Sequence, residues 1–465
     1  MRLLKWPLLV LLLVSSSVGS YHLAKDWRFN SDAPEAEFPP PADQAEARRQ
    51  DLQHLALFFE LERSWSERSL ASAKTAYEQL MDQAPAMTDA EFELAVARIV
   101  ALAGNAHTKV REYNRTPRYS RLPIRGYWFA DGYHVIRAYQ GFEQLLGNRV
   151  THIDGIAVER IKDELRQYIA GPEGTFRKYS PYLLESPELM FAAGLTKSPQ
   201  RMEVTLEGFD AGTKVVVFEP PFPPSSDQIG RSHYLLTATA YAKSQPDWKT
   251  LDLNSESAPL YLQLPDERMQ LRAIPELKAM YLQFWANNDV GSTSIKTFCR
   301  DALEAFRSEP TVNVIIDHRF NGGGNFNRTR DCLTDFGRSI PPDGHLYIIT
   351  GGSTFSAGMY SIAFLLHSAG DQAVLVGENV GDSMQHWGED NLLRLPNSEI
   401  EIKFSTGMHD LGKPCNDWQK CHWDALFLNM YLEDMEPDIH SPLHYRDFAG
   451  QVDPALEAIR QHQGL

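Results

Sequence analysis

The chain has 465 residues, of which 43% are hydrophobic and 23% charged, and its formal net charge is −16. This ordinary globular composition excludes an intrinsically disordered chain, and the length predicts about three folding units rather than one core. The negative charge argues against nucleic acid as a partner, because neutralising phosphates requires clustered Lys and Arg.

The N-terminus has the pattern of a secretory signal peptide. Arg2 and Lys5 stand around the start of a short apolar run, and Val18 and Ser20 fit the small residues of a cleavage site. The run is well short of the ~20 residues that span a bilayer. We therefore predict a signal peptide over residues 1–20 and a periplasmic or secreted protein, with an uncleaved membrane anchor as the alternative.

Composition and periodicity divide the rest of the chain into five segments. Residues 32–43 are rich in proline and acid and predict a linker, which we place over 21–44. Apolar residues at helical spacing predict an N-terminal helical region over 45–118. Short β-rich stretches follow over 119–219, and 220–254 is a second, proline-rich linker. Strands alternate with helices over 255–465, which predicts a layered α/β domain.

A serine lies at a predicted strand-to-helix junction in the last segment. Residues 345–350 are apolar and predict a strand, and apolar residues at helical spacing follow Ser356 as far as Gly370. Ser356 therefore lies at or beside a helix N-terminus, where free N–H groups and the helix dipole favour negative charge. The nucleophile of an acyl-transfer enzyme needs such a place, although a serine that only caps the helix gives the same pattern.

A run of glycines follows the preceding predicted strand. Residues 312–316 predict the strand, and residues 317–325 read Asp-His-Arg-Phe-Asn-Gly-Gly-Gly-Asn. Consecutive glycines let the backbone approach a ligand closely. The N–H of Gly323 or Gly324 can form one half of an oxyanion hole, with the N–H of Ala357 as the other half. A plain glycine-rich turn is the alternative.

Together these two motifs resemble the S41-type serine peptidases, that is, the tail-specific (C-terminal-processing) peptidases and the core peptidase domain of the tricorn protease. Residues 374–378, Val-Leu-Val-Gly-Glu, are similar to the strand and turn after the nucleophile helix of that family. Residues 395–404 are similar to its next strand pair, and 436–439 and 453–456 to its closing segments. The resemblance implies a crotonase/ClpP-like catalytic domain over 255–465.

Residues 146–155, Leu-Gly-Asn-Arg-Val-Thr-His-Ile-Asp-Gly, resemble the core of a PDZ-type domain, which these peptidases often carry. The turn at Asp154 and Gly155 after a predicted strand fits a hairpin. The resemblance implies that 119–219 is a PDZ-like module that captures or gates a peptide by adding it to a sheet edge.

The general base differs from that of the tail-specific branch. That branch pairs its serine with a lysine, and Ser383 occupies the corresponding position here, so a Ser/Lys dyad is not expected. The tricorn-like branch uses a histidine, and residues 104–108, Gly-Asn-Ala-His-Thr, resemble its motif. The resemblance implies that His107 takes the proton of the serine. His386 is the alternative base, although an exposed loop histidine is the simpler interpretation of that residue.

A third group is expected to orient the histidine. Glu433 lies near the segment that resembles the one carrying the tricorn-type glutamate, and Asp434 and Asp410 are alternatives. No metal or cofactor is expected.

Four cysteines, an even number in a chain predicted to be exported, predict disulfides, for which three pairings exist. Cys415 and Cys421 are close enough to close a small loop, and a Cys299–Cys332 bridge would link two predicted helices. We predict these two pairs. A zinc site is the alternative, but the sequence lacks a Cys-x-x-Cys pair.

The sequence thus predicts an exported serine peptidase that forms an acyl-enzyme and acts on a peptide or an unfolded protein. Two alternatives use the same scaffold. One is a catalytically inactive protein that binds an apolar ligand or a peptide, and the other is an esterase-like hydrolase with a small substrate.

Overall fold

The computed structural model describes residues 19–208, 212–219, 236–237, 247–251, 258–263, 267–289, 291, 294–308, 312–428 and 430–465. Nearly all of the predicted signal peptide and most of the second predicted linker lie outside these residues. Within them, no helix combines the length and apolar character needed to cross a membrane.

Strands and helices alternate along the described residues. The strands are β1 (Lys109–Val110), β2 (Ile124–Phe129), β3 (Gly132–Tyr139), β4 (Arg149–Ile153), β5 (Ile156–Ala157), β6 (Met202–Glu207), β7 (Thr213–Phe218), β8 (Trp248–Thr250), β9 (Met269–Ile274), β10 (Ala279–Phe284), β11 (Asn313–Asp317), β12 (Leu346–Thr350), β13 (Ala373–Gly377), β14 (Gln385–Arg394), β15 (Glu401–Asp410) and β16 (Ile439–His440). The α-helices span residues 19–29, Gln44–Leu55, Phe58–Leu61, Glu67–Gln83, Asp89–Ala101, Val158–Leu165, Glu173–Tyr179, Pro181–Leu184, Pro187–Ala192, Leu260–Gln263, Ile295–Ser308, Arg330–Arg338, Ala357–Ala369, Tyr445–Ala449 and Pro454–His462.

The C-terminal segment is built on a mostly parallel sheet. Its order in the described chain is β16-β13-β12-β11-β10-β9, in which β9 runs antiparallel and the others run parallel. Strands β10, β11 and β12 are buried along their whole length because helices cover both faces of the sheet. The predicted α/β architecture is confirmed, and the strands expected at 312–316 and 345–350 are β11 and β12.

The β-rich segment forms an antiparallel sheet in the order β2-β3-β4-β6-β7, with β5 beside β4 and β8 beside β3 in the described chain. A helix inserted in this segment, Glu173–Tyr179, contacts the C-terminal domain. A Cβ at Gly174 would lie 2.5 Å from the Cα of Gly352, and Thr175 donates a hydrogen bond to the carbonyl of Gly381. The segment therefore forms a wall beside the loop that leads to Ser356. Its PDZ-like character stays a prediction.

The N-terminal helices pack on a smaller sheet, β1-β15-β14 in the described chain. The predicted linker over 21–44 is helical at its start, since residues 19–29 form a helix. Phe29 is fully buried there, and Tyr21 and Lys25 both donate to Asp424. The linker prediction failed in this part because the proline- and acid-rich composition begins only after residue 30.

The strand pair predicted over 395–404 is displaced in the structure. Residues 395–400 form the turn of a hairpin, in which the N–H of Leu395 donates to the carbonyl of Ile400 at 2.9 Å. The paired strands are β14 and β15, ten residues each. Glycine and charged residues interrupt the alternation of apolar residues in β14, whereas the hairpin turn contains apolar residues that match a strand pattern.

Both predicted disulfides are present. The Cα atoms are 5.6 Å apart in Cys299–Cys332 and 5.9 Å apart in Cys415–Cys421, within the range a disulfide requires. The described chain has no free cysteine. The zinc alternative for these cysteines is therefore wrong.

We expect the two bridges to stabilise the fold unequally. The Cys299–Cys332 bridge spans 33 residues and the Cys415–Cys421 bridge spans 6. On the chain-entropy model these spans correspond to about 4 and about 2 kcal/mol of unfolding free energy. Urea unfolding of the two double-alanine variants measures the difference. A larger loss in the short-loop variant would contradict the expectation.

Candidate active site

Ser356 lies at the start of the helix Ala357–Ala369, in a backbone conformation that is rare for a residue with a side chain. Its φ is 54° and its ψ is −126°, and its side chain makes no capping hydrogen bond to the helix. The interpretation of Ser356 as a simple N-cap is therefore wrong. The turn before it is fixed by Thr354, whose hydroxyl donates to the carbonyl of His318 at 2.8 Å. The strained turn lies between the end of β12 at Thr350 and the start of the helix at Ala357.

The glycine loop after β11 lies directly against this turn. Gly323 has φ 100°, and a Cβ there would lie 2.9 Å from the Cβ of Ser356 and 3.1 Å from the backbone nitrogen of Ala357. The N–H of Phe355 donates to the carbonyl of Asn321 at 2.9 Å and joins the two loops. The structure thus brings three of the predicted residues, Gly323, Ser356 and Ala357, into contact.

The hydrogen bonds of the two loops distinguish the candidate oxyanion donors. The N–H of Gly323 donates to Oδ1 of Asn321 at 3.1 Å, so it is already engaged. The neighbouring Gly324 has φ 129° and packs against the side chain of Asn288. Within the described residues, no acceptor is recorded for the N–H of Gly324 or of Ala357. These two donors are therefore available to an incoming oxygen.

His107 is buried and lies beside the residue that precedes Ser356. Its ring centroid is 4.4 Å from that of Phe355. The loop that carries His107 is held to β14 by the side chain of Asn105. The amide group of Asn105 donates to the carbonyl of Trp387 at 2.9 Å and accepts from the N–H of Trp387 at 3.1 Å. This loop therefore lies against β14, with the imidazole beside the ring of Phe355.

Two carboxylates face the two nitrogens of His107. Nδ1 lies 2.6 Å from Oδ1 of Asp390 in a hydrogen bond. Nε2 lies 3.3 Å from Oδ2 of Asp382, but the angles are not those of a hydrogen bond, and both atoms are buried without such a partner in the described chain. Nε2 is the nitrogen that remains available for a proton transfer.

These charges set the protonation of the site. Burial lowers the pKa of His107, but Asp390 and then Asp382 outweigh it and raise this pKa to about 9. Burial likewise opposes ionisation of Asp390, yet His107 and Lys403 together hold its pKa well below the usual range. Lys403 Nζ lies 2.6 Å from Oδ2 of Asp390. At neutral pH the resting site therefore holds a charged imidazolium between two carboxylates.

The predicted third member lies elsewhere. Glu433 is exposed, as is Asp434, and neither contacts His107 among the described residues. Asp410 is buried but accepts hydrogen bonds from Gln385 and from backbone N–H groups of its own loop. The carboxylate on Nδ1 is Asp390, in the strand that the sequence pattern hid. Only the pairing of β14 with β15 brings it to the histidine.

The interpretation of His386 as an exposed loop histidine is wrong. The residue is buried in β14, where its ring centroid lies 5.8 Å from that of His107, and its Nδ1 lies 3.0 Å from the carbonyl oxygen of Ser383. Burial lowers the pKa of His386 to about 4, so it is neutral beside the charged His107.

A cavity of about 580 Å³ opens along the loop that precedes Ser356. Its walls come from both the β-rich segment and the C-terminal domain, and they include Tyr127, Arg177, Gly352, Ser353 and Glu378.

Two groups of side chains in or beside the site have donor sets that suit a metal ion. One is His107 with Asp382 and His386, and the other is Glu389 with His409 and His422.

No protein-family model and no curated protein sequence matches the chain. Among solved structures, mature CPAF aligns over 90% of this chain and 97% of its own, at 12% identity and a TM-score of 0.55. The complex of mature CPAF with lactacystin gives 0.54 over 90% and 98% at the same identity. The photosystem II D1 C-terminal processing protease covers 90% and 97% at 12% identity, with a TM-score of 0.36. The chain therefore has the fold of mature CPAF, an S41-type peptidase, which confirms at the level of fold the resemblance drawn from the motifs.

Proposed function

We propose that the protein is an exported serine peptidase with Ser356 as nucleophile, His107 as general base and Asp390 as the residue that orients the base. The observation that carries the proposal is the turn at Ser356. A capping serine would adopt an ordinary conformation and bond to the helix, whereas Ser356 is strained, uncapped and pressed against Gly323. Strain of this kind is retained where a reactive group must be held in place.

In the proposed reaction, Oγ of Ser356 attacks the carbonyl carbon of the scissile peptide bond while Nε2 of His107 takes its proton. The tetrahedral oxyanion is bound by the N–H groups of Ala357 and Gly324, and losing one such donor typically costs around 10²–10³ in rate. His107 then returns the proton to the leaving amine, and a water molecule hydrolyses the acyl-enzyme by the reverse route.

The two carboxylates have different proposed roles. Asp390 accepts the Nδ1 hydrogen of His107 and fixes the tautomer in which Nε2 is the base. Asp382 faces Nε2 and stabilises the imidazolium. It therefore favours the form of His107 that carries a proton on Nε2, and this proton must leave before Nε2 can accept the proton of Ser356. A site that holds its base protonated at rest should work best in alkaline solution.

The peptide or unfolded protein substrate is proposed from the fold shared with an S41-type peptidase. The cavity along residues 351–353 provides room for side chains of an extended chain beside Ser356. Export is proposed from the N-terminal pattern, and the two disulfides suit an oxidising compartment. N-terminal sequencing of the mature protein would test the predicted cleavage after Ser20.

Labelling with a fluorophosphonate at about pH 9, near the pKa of His107, tests the nucleophile. We expect a single adduct on the peptide that contains Ser356, and none in Ser356→Ala. Ser353→Ala is the matched control, because this serine lies on the same loop, and it should still be labelled.

Each other outcome has a defined meaning. An adduct that persists in Ser356→Ala would assign the chemistry to another residue. A folded wild-type protein that is not labelled would favour the inactive binding protein. Labelling together with turnover of small esters, but no cleavage of an unfolded protein, would favour the esterase.

A further inference from the structure

A second set of ligating side chains lies beside the proposed active site and has no part in the peptidase mechanism. Oε1 of Glu389 lies 3.6 Å from Nε2 of His409 and 3.6 Å from Nε2 of His422. One ligand atom from each of the three residues lies within 4.8 Å of the other two. Both imidazoles are 6% exposed, and Glu389 is 26% exposed. Two imidazole nitrogens and a carboxylate oxygen thus point at one shielded place.

Mutual hydrogen bonding does not account for this arrangement. The separation of 3.6 Å between the oxygen and each nitrogen exceeds the normal N–H···O range. A tetrahedral zinc site with bonds of about 2.0–2.1 Å has ligand atoms about 3.3–3.4 Å apart. The two oxygen-to-nitrogen separations of 3.6 Å need to contract by only a few tenths of an ångström to match this spacing, and the ligand atoms of the two imidazoles lie within 4.8 Å of each other.

The backbone around the cluster leaves room for its side chains. Gly388 and Gly407 are paired across β14 and β15. A Cβ at Gly388 would lie 3.3 Å from Nε2 of His409, and a Cβ at Gly407 would lie 3.0 Å from Cγ of Glu389. Glu389 itself has φ 63°, an uncommon value for a residue with a side chain. The hairpin is thus shaped to place Glu389 between the two histidines.

Each histidine is also held by the surrounding fold. Nδ1 of His409 lies 3.0 Å from the hydroxyl of Tyr360, which orients Nε2 toward Glu389 in the way that outer partners orient metal-binding histidines. His422 follows the Cys415–Cys421 disulfide, and its N–H donates to the carbonyl of Met408 at 2.8 Å. The three side chains therefore come from β14, from β15 and from a loop that a disulfide fixes.

We propose that Glu389, His409 and His422 form a binding site for a divalent transition-metal ion of the zinc type. Two imidazoles with one carboxylate are a recurring protein ligand set for zinc and leave a fourth position for water. The bound ion would tie the β14–β15 hairpin to the Cys415–Cys421 loop and, through Tyr360, to the helix that begins after Ser356. The sequence does not predict this site, because Glu389, His409 and His422 do not have a familiar metal-binding spacing.

Metal binding to the untagged full-length mature protein tests the proposal directly. After removal of metals with a chelator, titration with Zn²⁺ against a chromophoric competitor should show one tight equivalent per chain. Co²⁺ should give the intense visible absorption of a tetrahedral site. Glu389→Gln and His422→Gln should each weaken Zn²⁺ binding by more than about 100-fold, since outer-shell changes alone cost about 10–100-fold.

His386→Gln is the matched control, because it removes an imidazole that stacks on His409 and belongs to the neighbouring group of His107, Asp382 and His386, but it removes none of the proposed ligands. It should keep tight binding. Loss of binding in His386→Gln but not in His422→Gln would move the ion to that group and overturn the proposal. Absence of a tight equivalent in the wild-type protein, shown by circular dichroism to be folded, would also overturn it, and this result depends on no variant.

Discussion

Replacing Asp390 by Asn should lower kcat by about 10³–10⁴-fold while changing KM little. The amide oxygen should face the ammonium of Lys403, which can only donate, so the NH₂ group takes the position beside Nδ1 of His107. The NH₂ group then favours the opposite tautomer, in which Nε2 carries the hydrogen and cannot act as a base. The contact that is lost is the 2.6 Å hydrogen bond between Nδ1 and Oδ1. Steady-state kinetics on an unfolded protein substrate measure the effect.

Glu433→Gln is the matched control for this variant. Glu433 is exposed, so its amide should leave both kcat and the free energy of unfolding close to the wild-type values. If instead Glu433→Gln were the impaired enzyme and Asp390→Asn were not, the orienting role would return to the glutamate that the motif resemblance suggested. A loss in Asp390→Asn that appears only in KM would contradict a role in orienting the base.

The sequence predicted those parts of the site that depend on local patterns. Ser356, Ala357 and the glycine loop follow buried parallel strands, and neighbouring parallel strands present their carboxyl ends at the same edge of a sheet. Two strand-to-loop motifs about thirty residues apart therefore had to meet once β11 and β12 paired. His107 was predicted from a motif resemblance rather than from a strand pattern. Its contact with Phe355 places it at that same edge.

The orienting carboxylate could not be found in this way because it depends on a long-range register. Asp390 lies in β14, where Gly388 and Asn391 interrupt the alternation of apolar residues that marks a half-buried strand. Its place beside His107 is set by pairing with β15 and by the contact of Asn105 with Trp387. The same pairing brings together two of the proposed metal ligands, Glu389 and His409. The orienting carboxylate and these two ligands therefore depend on one hairpin rather than on a sequence motif.

The second large effect should be a steep rise of activity with pH. A base must be unprotonated to act, and the pKa of His107 is raised to about 9. Only a small fraction of the protein then has a neutral His107 at neutral pH, so kcat/KM should rise roughly 10–100-fold between pH 7 and a plateau above pH 9. The second-order rate of fluorophosphonate labelling should rise over the same interval, because it requires the same proton transfer without a peptide substrate.

Asp382→Asn separates this cause from others. The variant removes one of the two carboxylates that raise the pKa of His107, while Asp390 keeps the ring oriented, so the rise should move to lower pH. Activity near neutral pH should therefore increase relative to the wild type. The neighbouring His386, whose pKa burial lowers to about 4, stays neutral over this range and cannot produce the rise. A rise that stays in place in Asp382→Asn would show that another group controls it.

The same ionisation should appear in the stability of the fold, with the opposite dependence on pH. Because the pKa of His107 is higher in the folded than in the unfolded chain, its charge pairing stabilises the protein fully below about pH 6.5. That contribution is lost as the pH rises through about 9, where the folded protein gives up the proton. Denaturant unfolding of the wild type should therefore show a fall in unfolding free energy over this interval that is absent in His107→Gln. A wild-type protein that becomes more active without losing this part of its stability would show that a group other than His107 is the one titrating.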